Sequence, residues 1–213
     1  MTSNRTMRSA IGERNEPTDS ALATPSGPTP APLETRRIRL RPATPSDADF
    51  LHDIVFDDGL IPLGTTSESE PAHRSLVNFI ICRTDTGSPI GSTGISNPHF
   101  ANGYAYFGVR TLRDALRTGF GVEGAGLCIN YAFQMWNFRK LYSETTDVGI
   151  RYFGSALGRL LKEEGRLRDH EFFAGTYWDR VTLAMYREDW YKIGLPLLTR
   201  AINGVQSSTP PQT

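Results

Sequence analysis

The chain has 213 residues, enough to bury one sizeable core. Its 23 basic and 23 acidic residues cancel, so nothing in the balance points to nucleic acid or a membrane surface as a partner. Cys82 and Cys128 sit in apolar runs without CxxC or metal-ligand spacing, and no leader-like apolar stretch or long membrane span is visible. These features predict a cytoplasmic protein without disulfides.

Residues 1–33, with Pro17, Pro25, Pro28, Pro30 and Pro32 among small polar residues, predict a disordered tail. The stretch 196–213, ending in SSTPPQT, reads as a second flexible tail. Between them, 34–195 forms one expected domain. Arg37 to Pro42 alternates polar and apolar residues as a half-buried strand does. A helix should follow, with Ser46 as N-cap and Phe50, Leu51, Ile54 and Val55 on its apolar face. The segment from Asp57 to Pro71 reads as loop. Val77–Arg83 and Pro89–Ser96 predict a strand pair turned at Thr84–Gly87, and Asn102-Gly103 marks a turn before the Tyr104–Val109 strand.

Thr118-Gly119-Phe120-Gly121 then leads directly into an apolar helical pattern, Val122 to Phe133. Glycines between a strand and a helix expose backbone N–H groups at the positive end of a helix dipole, which suits a phosphate. Lys140–Thr146 reads as a strand and Ile150–Leu161 as a helix capped by Asp147. The run Lys162-Glu163-Glu164 reads as a solvated helix end. A final pair of strands, Leu167–Phe173 and Tyr177–Tyr186, turns at Ala174–Thr176. The expected order β-α-β-β-β-α-β-α-β-β describes a mixed α/β (α+β) sheet. Three consecutive short-turn strands argue against a doubly wound nucleotide fold.

This order, with a glycine loop between the fourth strand and the next helix, resembles the GNAT N-acetyltransferase family over roughly Thr35 to Tyr191. The likeness is sharpest to the branch of ribosomal-protein alanine and serine N-terminal acetyltransferases. Its marks are Gly119-Phe120-Gly121-Val122-Glu123-Gly124, the run Glu164 to His170, Gly175-Thr176-Tyr177-Trp178-Asp179 and Tyr186-Arg187-Glu188-Asp189-Trp190. The resemblance implies a mostly antiparallel sheet with splayed fourth and fifth strands, flanked by helices. It also implies acetyl-CoA as co-substrate and a primary amine, small molecule or peptide N-terminus, as acceptor. Acetyl-CoA would then rest on Val109, whose N–H would face the thioester carbonyl, and on Arg117, Thr118, Gly119, Phe120, Gly121 and Val122. Two family positions differ: Leu116 stands at a usually polar loop position, and Gly154 where a tyrosine commonly protonates the leaving thiolate.

Amide formation from a thioester needs an acceptor for the amine proton, stabilisation of the carbonyl oxygen and protonation of the thiolate. The fourth strand carries no acid, so Glu144 on the next strand is the candidate base, and Ser155, beside Gly154, the candidate thiolate partner. Tyr104 and Tyr106 share a strand face that could line the acceptor slot. His170 and Asp179 could approach across the last hairpin, with a structural role the simpler reading. His52, His73 and His99 lack ligand spacing, and no metal is expected. Two alternatives stay open: an acyltransferase drawing a longer chain from acyl-CoA or an acyl carrier protein, and a catalytically silent CoA-binding sensor. Either a monomer or a homodimer is compatible.

Overall fold

A computed structural model describes residues 31–56 and 74–204; of the tail expected over 1–33 only residues 31–33 are described, with Leu33 O accepting from Leu40 N at 2.7 Å, and residues 1–30, 57–73 and 205–213 lie outside the described residues. The described elements are β1 (Ile38–Pro42), α1 (Ala48–Phe56), β2 (Ser75–Arg83), β3 (Pro89–His99), β4 (Tyr104–Thr111), α2 (Phe120–Met135), β5 (Lys140–Thr146), β6 (Leu161–Phe173) and β7 (Thr176–Tyr186). A C-terminal helical run follows, from α3 (Arg187–Asp189) through a wide turn to α4 (Leu195–Asn203).

The seven strands form one sheet in the order β1-β2-β3-β4-β5-β7-β6. β1 to β4 are antiparallel neighbours, with short turns joining β2, β3 and β4, while the α2 crossover brings β5 in parallel to β4. That parallel pairing is brief, covering only Tyr104↔Lys140, Ala105↔Leu141 and Tyr106↔Tyr142. Beyond it β4 stays with β3 to Thr111, and β5 stays with β7 to Thr146, so the two strands part. The mixed, mostly antiparallel sheet with a splay between its fourth and fifth strands is the expected architecture.

The two sheet faces are distinct. A Cβ on Gly124 would lie 2.5 Å from Ile81 Cδ1, and one on Gly121 would lie 3.1 Å from Thr111 Cγ2. The glycines thus let α2 press on the face that carries Ile81, Val109 and Thr111. The main core sits there, with Leu127, Phe133, Ile38 and Phe107 buried. The α1 helix takes the other face, tied down where Arg41, one residue out of phase with Ile38 and Leu40, forms a bidentate pair with Asp47 at 2.6 and 2.8 Å. The Arg41 guanidinium, with the Thr44 amide, holds the Asp47 carboxyl well below the usual carboxylate range. Asp47 and Thr44 form a capping box, so the cap lies at Thr44 and not at Ser46.

Several expectations need correction. The helix expected over Ile150–Leu161 is a 3-10 turn, Gly149–Ala156, broken where Gly154 turns to φ +50°, and β6 already starts at Leu161. Its first amide, from Gly149, donates to Thr146 Oγ1 at 3.0 Å, so Thr146 does the capping expected of Asp147. The C-terminal tail expected from residue 196 is helical through Asn203, because Leu198 buries itself against Gly126 and Trp190. Lys162-Glu163-Glu164 belongs to β6, not to a helix end. There Glu164 accepts hydrogen bonds from Lys140 Nζ at 2.5 Å, Tyr142 Oη at 2.9 Å and the Tyr186 hydroxyl. Burial raises the Glu164 carboxyl, but these donors outweigh it and leave its pKa lowered. Asp179 pairs with Arg166 at 3.1 Å and with the Asp169 amide at 3.1 Å, so the His170–Asp179 candidate resolves into a turn clamp around Asp179.

Candidate active site

The splay between β4 and β5 opens a cavity of about 1310 Å³. It passes through the sheet. On the α2 side it is lined by Gly119, Gly121, Val122 and Ala125; on the α1 side by Tyr106, Gly108, Arg110 and Glu144.

Backbone direction matters most at its centre. Leu112 N donates to Ile90 O at 2.9 Å, next to the register pair Gly91↔Thr111. In an antiparallel ladder successive residues alternate between facing the partner strand and facing away. The N–H and C=O of Val109 and Thr111 therefore turn from β3 toward the gap that β5 has left. A single strand offers its polar edge to whatever occupies the splay.

The glycine loop sits at the end of this edge. Gly119 is left-handed (φ +85°) as N-cap of α2, and Arg117 is also at positive φ (+62°). Thr118 folds the loop, donating to Ala115 O at 2.6 Å and accepting from Phe120 N at 3.2 Å. Arg37 straps it to β1. Its guanidinium pairs with Glu123, donates to Thr118 O at 3.1 Å and covers the Phe120 ring at 4.8 Å. Thr35 Oγ1 adds a bond to Glu123 at 2.7 Å. Glu123 is thus consumed in holding the helix start, while the first-turn N–H groups of Gly121 and Val122 have no acceptor within the helix and sit at its positive end. The Gly121 contact shows that the backbone there can be approached closely only because the side chain is absent.

Of the residues expected to hold the donor, Val109, Arg117, Gly119, Gly121 and Val122 line the cavity. Thr118 and Phe120 shape the loop from behind. Tyr106 lines the cavity; Tyr104 stands one layer back, its ring 5.1 Å from His99 and 5.5 Å from Tyr142. Glu144 lines it too, its carboxylate 3.5 Å from Thr182 Oγ1 and 4.0 Å from Arg180 Nη1. Arg180 is held more tightly by Glu171 at 2.5 Å. Ser155 lies in the 3-10 turn whose neighbours Gly154 and Ala156 border the cavity; its side chain lies outside the described residues.

Other lining residues went unassigned from sequence: Arg110, Arg151, Tyr152 and Arg159. For Arg110 a signal existed, because the same two-residue period that puts Tyr106 on the α1 face puts Arg110 there as well. Tyr152 borders the cavity from the turn where the family tyrosine is missing. Among the described residues no group of three metal-binding side chains occurs, and no helix is long and apolar enough to cross a membrane.

A family model described as acetyltransferase (GNAT) domain matches residues 37–148. Solved structures share the fold. A putative acetyltransferase has 19% identity and a TM-score of 0.61 over 86% of this chain and 100% of its own. Spermidine N-acetyltransferase from Vibrio cholerae, in complex with CoA and spermine, has 17% identity and a TM-score of 0.58 over 72% of this chain and 98% of its own. A chimera of that enzyme with human SSAT has 16% identity and a TM-score of 0.59 over 72% and 98%. No curated protein sequence matches the chain.

Proposed function

The chain belongs to the GNAT acetyltransferase family, whose members use acetyl-CoA as co-substrate, and from that premise we propose that it acetylates a primary amine by direct attack in a ternary complex. The observation that carries this reading is the through-going cavity, with a helix N-terminus and an unpaired strand edge on one side and a carboxylate on the other.

The residues fit the co-substrate. The amides of Gly121 and Val122, with Arg117, would receive phosphate oxygens, as helix N-termini do. The Val109 N–H, turned into the splay, would donate to the thioester carbonyl oxygen as negative charge develops on it. The amine arrives from the α1 side. Its nitrogen attacks the carbonyl carbon, the C–N bond forms, and the C–S bond breaks. The nitrogen's proton passes to Glu144, directly or through one water. The departing thiolate takes a proton from the 3-10 turn, where Tyr152 borders the cavity and Ser155 is the alternative expected from sequence.

The acceptor class is open between a peptide N-terminus, as the resemblance to ribosomal-protein acetyltransferases suggests, and a small amine. A mass spectrum of a cell extract incubated with the protein and isotopically labelled acetyl-CoA tests this reading. A labelled N-acetyl product supports it; tight acetyl-CoA binding without any labelled product leaves only a binding module. Tyr152→Phe and Ser155→Ala separate the two acids: the true donor's loss lowers kcat far more than the affinity for acetyl-CoA.

A further inference from the structure

Charge on the cavity wall is one-sided. Among the described residues Arg110, Arg117, Arg151, Arg159 and Arg180 line it against a single carboxylate, Glu144. Phosphates of the donor account for Arg117, which stands in the glycine loop. They do not account for Arg110. Its neighbours Val109 and Thr111 face α2, where a Cβ on Gly121 would touch both side chains, so Arg110 projects from the opposite, α1-facing side of the sheet. It shares that side with Tyr106 and Gly108 on its own strand and, across the splay, with Glu144. The Tyr106–Tyr142 ring contact at 5.5 Å fixes the phase of β5, two residues before Glu144.

Arg110 is half-buried and has no counter-ion among the described residues. Burial alone moves its pKa, downward, with no carboxylate acting on it. Elsewhere the fold pairs several of its arginines closely: Arg37 with Glu123, Arg41 with Asp47, Arg166 with Glu163 and Asp179, Arg180 with Glu171. A desolvated guanidinium without a partner is costly unless a ligand supplies the anion. The floor beside it is open: a Cβ at Gly108 would meet nothing within 4 Å. Its cross-strand partners are small, with Ser92 opposite Arg110 and Gly94 opposite Gly108.

Resting on the N-acetyltransferase reading above, we infer that the acceptor is an amine bearing an anionic group, carboxylate or phosphate, which Arg110 receives over the Gly108 floor while Glu144 faces the nitrogen. A polyamine is opposed by the same field, since it would bring more positive charge to an already cationic wall.

The test uses matched pairs differing only in the anion: L-phenylalanine with 2-phenylethylamine, 4-aminobutyrate with butylamine, and O-phosphoethanolamine with ethanolamine, with spermidine as the cationic reference. Affinity is measured by calorimetry on the CoA-bound protein, and kcat/KM by thiol release. In at least one pair the anionic member should be preferred by about tenfold to a hundredfold, the size of one charge-assisted hydrogen bond. Arg110→Gln should bring that ratio close to one, and Arg110→Lys should restore part of it. Carboxylate and phosphate pairs distinguish the two anions. Preference for spermidine, no preference in any pair, or a ratio unchanged in Arg110→Gln overturns the inference, as does Arg110→Gln losing acetyl-CoA affinity instead. Anion-dependent binding without turnover would retain the inference for the pocket and overturn the transferase reading.

Discussion

Replacing Gly121 by valine separates the donor cradle from the fold that carries it. Gly121 lies in the first turn of α2 at ordinary helical angles, so valine is conformationally allowed there and is no worse a helix former than glycine. Its Cβ would stand 3.1 Å from Thr111 Cγ2 and 3.8 Å from Val109 Cγ2, a contact that a shift of a few tenths of an ångström relieves. The two γ-methyls then occupy the mouth of the splay and shield the amides of residues 121 and 122. Losing two charge-assisted hydrogen bonds at about 1.5 kcal/mol each removes about 3 kcal/mol. At about 1.4 kcal/mol per decade, that is roughly a hundredfold loss of acetyl-CoA affinity. Calorimetric titration measures it, and a thermal melt of the unliganded protein confirms that the fold survives. Gly119→Ala provides the contrast: at φ +85° its cost of about 1–2 kcal/mol falls on stability, ligand or none. A folded Gly121→Val protein that binds acetyl-CoA as tightly as the parent would refute the cradle.

Three further outcomes are expected. Glu144→Gln should lower kcat by about a hundredfold to ten-thousandfold with little change in acetyl-CoA affinity, as loss of a general base does; equal losses in both would make Glu144 a structural neighbour of Thr182 and Arg180. Glu164 has a folded pKa below its unfolded value of about 4.3, so its contribution is present above that pH and is lost as pH falls through the folded pKa. The melting-temperature gap between parent and Glu164→Gln should therefore narrow as pH falls below about 4.3, and a pH-independent gap would contradict it. Burial pushes the Cys128 thiol up to about 12, against a weaker opposing bond from Thr93, so the native protein should leave Cys128 unmodified by iodoacetamide at pH 8. Rapid alkylation of Cys128 in the folded protein would show that α2 opens.

The sheet was legible because its signals are local. Period-two runs marked the strands, and Thr84–Gly87 and Asn102-Gly103 marked the turns. The glycine loop announced a helix start, whereas the sequence could not show that Arg37, more than eighty residues earlier, straps it down through Glu123. The misread parts depend on distant partners in the same way. Ile150 to Leu161 has helical apolar spacing, but the left-handed Gly154 cuts it short and releases Leu161 into the sheet. Leu195 to Asn203 looks like a tail until Gly126 and Trp190 supply the surface for Leu198. Glu164 reads as solvated until Lys140, Tyr142 and Tyr186 converge on it from two other strands. At the site, Glu144 and Tyr106 were accessible from alternation. Arg110 obeys the same rule, and what marks it out, the lack of a counter-ion among the described residues, exists only in three dimensions.

The most direct test of direct transfer is an initial-rate study in which acetyl-CoA and the amine are varied together and both thiol release and acetylated amine are followed. Lines that intersect in double-reciprocal form, with one thiol released per acetyl group transferred, are expected for a complex in which both substrates meet across the splay. Parallel lines with an acetylated protein, or acetyl-CoA that binds without releasing thiol to any amine, would contradict it.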